Sequence, residues 1–261
     1  MISNVIMAGS GNLAFHLAKV ISQSGITIRQ IFSRNLISGK ELALITDSSF
    51  TDDIDKVFAD ADAYIFAMND EADKEIAEKL KIENDKILLH TAGSLSMDIF
   101  KIKTSNYGVF YPFQTFSKDA IIDFKSVPVC LEASNDGTYK ELQGLCKSLS
   151  CKSYQVNEEQ RKILHLSGVF ACNFMNHCVF IGERILENEG LSSEMLKPLL
   201  QQSFEKIINN GAYESQTGPA RRNDKISIEK HLDFLKKDKN LYDIYRIFTE
   251  SISKTYNVDG Q

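Results

Sequence analysis

The fold of this chain is decided by one stretch near its N-terminus, Val5-Ile6-Met7-Ala8-Gly9-Ser10-Gly11-Asn12-Leu13-Ala14. A short apolar strand runs into the pattern Gly-x-Gly-x-x-Ala, and an amphipathic helix follows. Gly9 permits a tight turn, Gly11 lets a ligand approach the backbone because it has no Cβ, and Ala14 allows close packing on a sheet. The N–H groups and partial positive charge at the helix N-terminus attract phosphate. The pattern therefore predicts a dinucleotide-binding turn with contacts from five residues: Gly9, Ser10, Gly11, Asn12 and Leu13.

The composition excludes several classes of protein. The chain has 261 residues, of which 43% are hydrophobic and 25% charged, as in ordinary soluble globular proteins. This length favours two domains of about 100–150 residues each. The net charge of -5 and the scattered basic residues argue against nucleic-acid binding. With no leader segment, no apolar run near the ~20 residues of a membrane span and five irregularly spaced cysteines, we expect a cytoplasmic protein without a membrane partner or a metal site.

The end of the second predicted strand, Thr27–Phe32, selects the dinucleotide. A protein that binds NAD usually carries Asp or Glu there, roughly 20 residues beyond the glycines, to hold the ribose 2′-hydroxyl. Here the residues are Ser33, Arg34 and Asn35. A carboxylate would repel a 2′-phosphate, whereas a hydroxyl, a guanidinium and an amide all donate hydrogen bonds to one. The sequence therefore favours NADP(H) over NAD(H); the alternative is a solvated arginine in a loop.

Strands alternate with helices as far as residue 156. Continuous apolar runs at 63–68 and 86–90 predict parallel strands that are buried on both faces. Nucleotides lie across the carboxyl ends of such strands. We therefore expect further cofactor contacts from the residues at these ends: Met68, Asn69, Thr91, Ala92 and Gly93. Residues 1–156 are predicted to form a doubly wound, Rossmann-like α/β domain with right-handed crossovers.

The pattern changes at residue 157, where strand signals stop, and residues 157–261 are predicted to form an all-helical domain. Its first helix, 158–189, is unusually long for a globular protein, which suggests a helix shared by two subunits or packed on both domains. His165, Cys172 and Asn176 fall nearly on one line along this helix. Polar groups on an apolar helix face either find hydrogen bonds in a core or line a cavity.

Seven segments together resemble one known family over nearly the whole chain. They are Gly9-Ser10-Gly11-Asn12-Leu13-Ala14, Ser33-Arg34, His90-Thr91-Ala92-Gly93, Tyr111-Pro112-Phe113-Gln114-Thr115-Phe116, the helical residues 165–173, Thr217-Gly218-Pro219-Ala220-Arg221 and His231. The chain resembles a bacterial Rossmann-like family described as NADP oxidoreductase, deazaflavin-dependent type, with a C-terminal helical domain of unknown function and a relationship to pyrroline-5-carboxylate reductase. The resemblance implies an NADP-binding domain, a helical domain that forms a homodimer, and a cleft between the two domains. It names no substrate.

The chain departs from the patterns of related proteins at three positions. The family typically has histidine where this chain has Tyr111, and glycine where it has Asn223. Related β-hydroxyacid dehydrogenases carry lysine three residues before an asparagine on the long helix, but that position is Phe170 here. The lysine mechanism is therefore unsupported. A Tyr-x-x-x-Lys motif is also absent from the sequence, which excludes a short-chain dehydrogenase.

Several residues near the predicted cleft are candidates for chemistry. His165 is the first choice as general acid because imidazole titrates near neutral pH; the alternative is a structural histidine. Arg221 is a candidate to hold a substrate carboxylate or phosphate with two hydrogen bonds, with a surface salt bridge as the alternative. The predicted catalytic residues are His165, Asn173 and Arg221, and the predicted substrate contacts are Tyr111, Gln114, Thr217 and His231.

Two functions follow from these residues. In the first, the protein is an NADPH-dependent oxidoreductase that acts on a small carbonyl or imine substrate bound between the domains. In the second, it is an NADP(H)-binding regulatory or sensor module that performs no turnover. The polar residues of the long helix and of the Thr217 loop favour the first function, whereas the missing lysine at Phe170 leaves the second one open.

Overall fold

An eight-stranded sheet forms the framework of the N-terminal part of the chain. The computed structural model describes residues 1–256. Its strands are β1 (Asn4–Ala8), β2 (Thr27–Phe32), β3 (Ser49–Thr51), β4 (Ala63–Phe66), β5 (Ile87–His90), β6 (Tyr107–Pro112), β7 (Val129–Ala133) and β8 (Ser153–Gln155). Their spatial order is β3-β2-β1-β4-β5-β6-β7-β8. The first six strands are parallel and have the order of dinucleotide-binding folds, so the predicted Rossmann-like class is confirmed.

Ten α-helices occur among the described residues. They are α1 (Asn12–Gln23), α2 (Leu36–Ile45), α3 (Asp70–Lys79), α4 (Asp136–Ser148), α5 (Glu158–Gly168), α6 (Met175–Asn188), α7 (Lys197–Asn210), α8 (Ala212–Ser215), α9 (Lys225–Leu235) and α10 (Lys239–Tyr256). A π-helical segment, Val169–Phe174, joins α5 to α6. The chain thus changes from alternating strands and helices to helices alone after β8, as the sequence pattern predicts.

The sheet is buried on both faces because its strands carry apolar side chains on both. Val5 and Met7 of β1 belong to one buried cluster, which includes Leu17 of α1. Ile6, which points the other way along the strand, belongs to a second cluster with Ile76 of α3. Continuous apolar runs are therefore what a sheet covered by helices on both sides requires.

The last two strands depart from the parallel arrangement. Strand β7 pairs with β6 in the antiparallel direction, and β8 runs parallel to β7. The turn-rich connection from Phe113 to Pro128 contains no long helix and brings the chain back along β6. A crossover helix is what returns a chain for parallel pairing, so its absence between these two strands accounts for the reversal.

The chain forms two compact units, Met1–His177 and Cys178–Gln261. The sequence predicts a domain boundary after residue 156, which lies immediately before the N-cap of α5, Asn157. The side chain of Arg161 on α5 is fully buried within the first unit, where it bonds to Glu132. This helix therefore belongs with the sheet, although its sequence pattern resembles that of the helices that follow.

The second unit carries little buried apolar surface. Among its described residues, 178–256, the only buried hydrophobic side chains are Ala220 and Leu235. Its exposed large apolar side chains are Phe180, Leu191, Met195, Leu199, Ile207, Ile208, Tyr213, Ile226, Phe234, Ile247 and Phe248. The described part of this unit therefore exposes more large apolar side chains than it buries.

The helical run Glu158–Asn188 is more apolar than the sequence pattern predicts. This run spans 31 residues and is long and apolar enough, by length and composition alone, to cross a membrane. The statement that no apolar run approaches membrane length is therefore wrong. A single such helix is weak evidence for a membrane partner, because helices of soluble proteins satisfy the same criterion. The absence of a membrane partner stays a prediction.

Candidate functional site

A cavity of about 710 Å³ lies at the carboxyl ends of β1, β2, β4 and β5. All thirteen residues that the sequence predicts as cofactor contacts line it. They come from four separate segments: Gly9 to Leu13, Ser33 to Asn35, Met68 with Asn69, and Thr91 to Gly93. The structure thus brings these segments together, because parallel strands place their carboxyl ends at one edge of a sheet. Their contact with a cofactor stays a prediction.

The first turn of α1 leaves its backbone N–H groups available to a ligand. Gly11 is the N-cap residue and makes no side-chain capping bond, and no acidic residue occupies the first turn. A Cβ added at Gly11 would meet nothing within 4 Å among the described residues. At Gly9, by contrast, φ is +123°, and a Cβ would overlap the backbone carbonyl of Ala67. The turn is therefore tightly packed against the sheet at Gly9 and open at Gly11, as anion binding requires.

A cluster of serine hydroxyls fixes the segment after β2. The hydroxyl of Ser10 lies 2.7 Å from those of both Ser33 and Ser38. The Ser33 hydroxyl accepts a hydrogen bond from the N–H of Asn35 at 3.1 Å, and the Asn35 side chain accepts one from the N–H of Ser38 at 3.1 Å. The glycine turn and the segment that is predicted to select the cofactor are thus joined by side chains.

Arg34 provides a cation at the edge of the cavity. Its side chain is 55% exposed, and Nη1 lies 3.1 Å from Glu75 Oε2. Glu75 also pairs with Lys79 at 2.6 Å, and the pKa of Glu75 is lowered chiefly by that lysine. An exposed ion pair contributes little free energy, about 0–1 kcal/mol. Arg34 is therefore free to exchange its contact with Glu75 for one with a phosphate.

Tyr111 and His165 also line this cavity, and they form a polar pair. Tyr111 Oη lies 3.2 Å from His165 Nδ1. Burial raises the pKa of Tyr111, so the phenol is protonated at neutral pH and can donate a hydrogen bond to the ring. A Cβ added at Gly93 would lie 2.6 Å from His165 Nδ1, so the imidazole packs directly on this glycine. His165 is therefore held by contacts from two strand ends.

A second cavity of about 440 Å³ adjoins the first and shares four lining residues with it: Tyr111, Gln114, Phe116 and His165. The remaining lining residues are Phe113, Thr115, Gly168, Val169, Ala171, Cys172 and Asn173. Among the described residues, 1–256, none that lines this cavity is a lysine, arginine, aspartate or glutamate. Part of one wall is the π-helical segment, a distortion that is frequent at functional sites. The structure thus gathers His165, Asn173, Tyr111 and Gln114 around one uncharged space.

Three further predicted residues, Thr217, Arg221 and His231, lie in the second unit. Arg221 Nη1 donates to the backbone carbonyls of Tyr213 and Gln216 at 3.2 and 2.5 Å. Its guanidinium also lies 4.9 Å from the ring centroid of Tyr256. Arg221 thus closes its own loop, a structural contact that the sequence does not reveal. Its predicted role in catalysis stays a prediction.

The other two residues also have partners within this unit. The carbonyl of Thr217 accepts a hydrogen bond of 2.9 Å from the side chain of Gln216. His231 Nδ1 lies 2.7 Å from the hydroxyl of Tyr245. The assignment of Thr217 and His231 as substrate contacts is not tested by these bonds.

Two buried ionisable groups near the site have unusual environments. His90 has a pKa lowered to about 3, first by burial and then by the charge of Arg161. Its Nδ1 accepts the N–H of Ala92 at 3.2 Å, so it is a neutral, structural histidine. Asp73 is fully buried, and neither of its carboxyl oxygens has a hydrogen-bond partner among the described residues. Burial, with a further contribution from Asp70, raises the pKa of Asp73 to about 7.

Sequence reasoning missed Asp73 and Arg161. Arg161 is fully buried, although arginine is rarely so unless it is paired. Both residues lie on helices at positions where a single sequence indicates a solvent-exposed charge. Only the three-dimensional packing shows that they face inward.

Comparisons with known proteins identify the family. The crystal structure of a Bacteroides fragilis protein, provisionally assigned as an NADP oxidoreductase, is similar to this chain with 35% identity and a TM-score of 0.90. The similarity covers 97% of this chain and 98% of that one. This chain belongs to the same family. A family profile described as a domain of unknown function, DUF2520, also matches residues 127–252.

More distant structures share the fold. A pyrroline-5-carboxylate reductase from Coxiella burnetii matches with 16% identity and a TM-score of 0.58, covering 98% of each chain. A reductive aminase from Aspergillus terreus, in complex with NADPH and ethyl levulinate, matches with 12% identity and a TM-score of 0.68, covering 98% of this chain and 95% of that one. A comparison with curated proteins finds no match. None of these similarities supports the deazaflavin-dependent subtype.

Replacement of Asp73 by asparagine should stabilise the protein in a pH-dependent way. The folded chain holds a proton on Asp73 up to about pH 7, whereas the unfolded chain releases it near pH 4. The wild type therefore loses stability as the pH rises between these values. In urea unfolding, we expect the free energy of unfolding of Asp73→Asn to exceed that of the wild type by on the order of 2–4 kcal/mol at pH 8. At pH 4 the two proteins should differ little. Glu71→Gln, on the exposed side of the same helix, is the control, and a gain independent of pH would contradict the assignment.

Proposed function

We propose that the protein is an NADP(H)-dependent oxidoreductase that transfers hydride to or from a small, uncharged carbonyl or imine substrate. The observation that carries this proposal is the convergence of four segments on one cavity above the uncapped N-terminus of α1. The adjoining cavity brings a protonated phenol and an imidazole to the same place. Membership in the family of the Bacteroides fragilis NADP oxidoreductase supports it.

The residues present fit NADP(H). Gly11 leaves open the space that a side chain would fill, and the backbone N–H groups beside it suit a pyrophosphate. Ser33, Arg34 and Asn35 provide hydrogen-bond donors, and no carboxylate, at the position where the 2′-phosphate is selected. The reductive aminase is described in complex with NADPH. When bound, the cofactor supplies or accepts the hydride.

His165 and Tyr111 are proposed to handle the proton. Reduction of a carbonyl or imine by hydride leaves a negative charge on oxygen or nitrogen, which must receive a proton. We assign this donation to the imidazolium form of His165, in which Nδ1–H donates to the hydroxyl oxygen of Tyr111 at 3.2 Å and so fixes the orientation of the ring; loss of the proton to the product leaves neutral imidazole. Asn173 and Gln114 provide amides that can bind the substrate. The catalytic role of Arg221 and the substrate contacts of Thr217 and His231 stay predictions.

The lining of the second cavity favours an uncharged substrate. Its aromatic and aliphatic side chains can bury apolar groups, and no cation among its lining residues is available to a carboxylate or phosphate. The ester ethyl levulinate in the reductive aminase complex is a ligand of this kind. A charged substrate would have to be desolvated in this cavity without compensation.

The alternative is a regulatory module that binds NADP(H) without turnover. Phe170 favours it, because this residue replaces the lysine that related β-hydroxyacid dehydrogenases use. The Tyr111–His165 pair favours the enzyme, since a sensor has no need for a proton donor beside the cofactor.

We also propose that the protein is a cytoplasmic homodimer formed through its helical unit. The exposed apolar side chains of α6, α7, α9 and α10 support this proposal, because a second copy of the chain would cover them with an equally apolar surface. The five cysteines among the described residues are all free, as is usual in a reducing compartment.

Sedimentation should show twice the mass of the 29.4 kDa chain. We expect Phe180→Glu combined with Ile208→Glu to shift the protein towards monomer, because each places a charge on an exposed apolar position of the helical unit. Ile121→Glu is the control, since Ile121 is fully exposed on the first unit. A wild type that sediments as a monomer would contradict the dimer.

Arg34→Ala should weaken the binding of NADPH much more than the binding of NADH. Loss of a charge-assisted hydrogen bond to the 2′-phosphate corresponds to about a 10–100-fold increase in Kd for NADPH. Titration by nucleotide fluorescence measures both constants. Arg29→Ala is the matched control, because Arg29 lies on β2, five residues before Arg34, and pairs with Asp60 outside the cavity. Equal losses for the two nucleotides would remove the 2′-phosphate assignment.

His165→Ala should lower kcat by about 100-fold or more, because it removes the proton donor, and Tyr111→Phe should lower it less. The assay follows NADPH oxidation in the presence of pools of ketones and imines, and every compound that carries an ester is also tested as its free acid. We expect the wild type to turn over the uncharged compounds. The two variants should bind NADPH with the Kd of the wild type. His16→Ala, outside both cavities, should behave as the wild type. NADPH binding without turnover of any member would leave the regulatory function instead.

A further inference from the structure

The side chain of Arg161 connects three parts of the first unit. Its Nη1 donates to the backbone carbonyls of Ala92 and Gly93 at 3.1 and 3.0 Å. Its Nε and Nη2 donate to Glu132 Oε2 at 3.3 and 3.0 Å. The Arg161 side chain is 0% exposed, and that of Glu132 is 13% exposed. One guanidinium therefore joins helix α5, strand β7 and the loop after β5.

Such a buried ion pair is not required for stability. Desolvation of two charges costs as much as their attraction returns, so well-packed apolar residues of similar volume can serve as well. What the guanidinium provides is geometry, because its planar fork fixes the directions of several acceptors at once. Two of those acceptors are carbonyls of residues that line the cofactor cavity, Ala92 and Gly93.

These contacts form a closed path that contains His165. Arg161 precedes His165 by one turn of α5, so the two side chains leave the same face of the helix. Gly93, held by Arg161, packs on the imidazole. Tyr111, which bonds to that imidazole, lies on β6, and β6 pairs with β7, which carries Glu132. A displacement of Arg161 would therefore move both contacts of the His165 imidazole, Gly93 and Tyr111.

We infer that Arg161 is a positioning residue, which sets the orientation of His165 against the cofactor cavity through Gly93 and Glu132. The catalytic part of this inference rests on the proposed function. Arg161 does not line either cavity, so it acts through its neighbours and not by touching a substrate.

Arg161→Lys tests the inference because it keeps the charge and removes the planar fork. We expect kcat for NADPH oxidation to fall by about 100-fold, as displacements of about 1 Å do in active sites. The Kd for NADPH should change much less than kcat does, because Arg34 and the α1 amides are untouched and only the contacts from Ala92 and Gly93 are disturbed. Lys162→Gln is the matched control, since Lys162 is the next residue and pairs with Glu158 on the exposed surface. An Arg161→Lys protein with the kcat of the wild type would overturn the inference.

A double-mutant cycle separates positioning from general weakening of the fold. If Arg161 acts through His165, Arg161→Lys should reduce kcat by less than about threefold in a His165→Ala background. Full additivity of the two losses would show that Arg161 acts independently of the imidazole and would overturn the inference.

A second variant covers the possibility that Arg161→Lys does not fold. Arg161→Met combined with Glu132→Met removes both charges and retains apolar volume, so no charge is left buried without its partner. Hydrogen exchange of the backbone amides at 92–94 should be faster in this variant than in the wild type, with kcat reduced as above. If the wild type itself oxidises no NADPH, the proposed function fails, and the exchange measurement alone decides: unchanged protection at 92–94 overturns the role of Arg161, and faster exchange supports it.

Discussion

The close approach of three strand ends at Gly9 is the constraint on which the site depends. The Gly9 N–H donates to the Phe32 carbonyl at 2.8 Å, and the Ala67 N–H donates to the Ala8 carbonyl at 2.7 Å. A side chain at Gly9 would overlap the Ala67 carbonyl. The turn that is proposed to hold a pyrophosphate is thereby fixed relative to Ser33 and its neighbours, which are proposed to hold the ribose. The position of the turn thus follows first from backbone packing, and the serine hydroxyls add to it.

The segments that line the predicted cofactor cavity could be identified from the sequence, because each consists of a few consecutive residues. The turn at Gly9, the segment at Arg34 and the strand end at Asn69 are each marked by a few consecutive residues, and the rule that parallel strands align their carboxyl ends brings them together. The reversal of β7 has no such local mark, since it follows from the missing crossover helix. The inward direction of Arg161 and Asp73 depends on partners distant in the chain, which periodicity does not encode.

Burial and the nearby charges of Arg161 and Glu132 together set the electrostatic environment of the Tyr111–His165 pair. Burial raises the pKa of Tyr111, and the positive charge of Arg161 acts in the opposite direction. That charge is neutralised by Glu132, so the surroundings of the pair contain strong dipoles but little net charge. In the proposed reaction, such surroundings would stabilise the charge that develops on a carbonyl oxygen, because the donors are already oriented when it forms. They offer no opposite charge to a substrate that brings a charge of its own. The packing that orients the proposed proton donor is therefore the same packing on which the proposal of a neutral substrate rests.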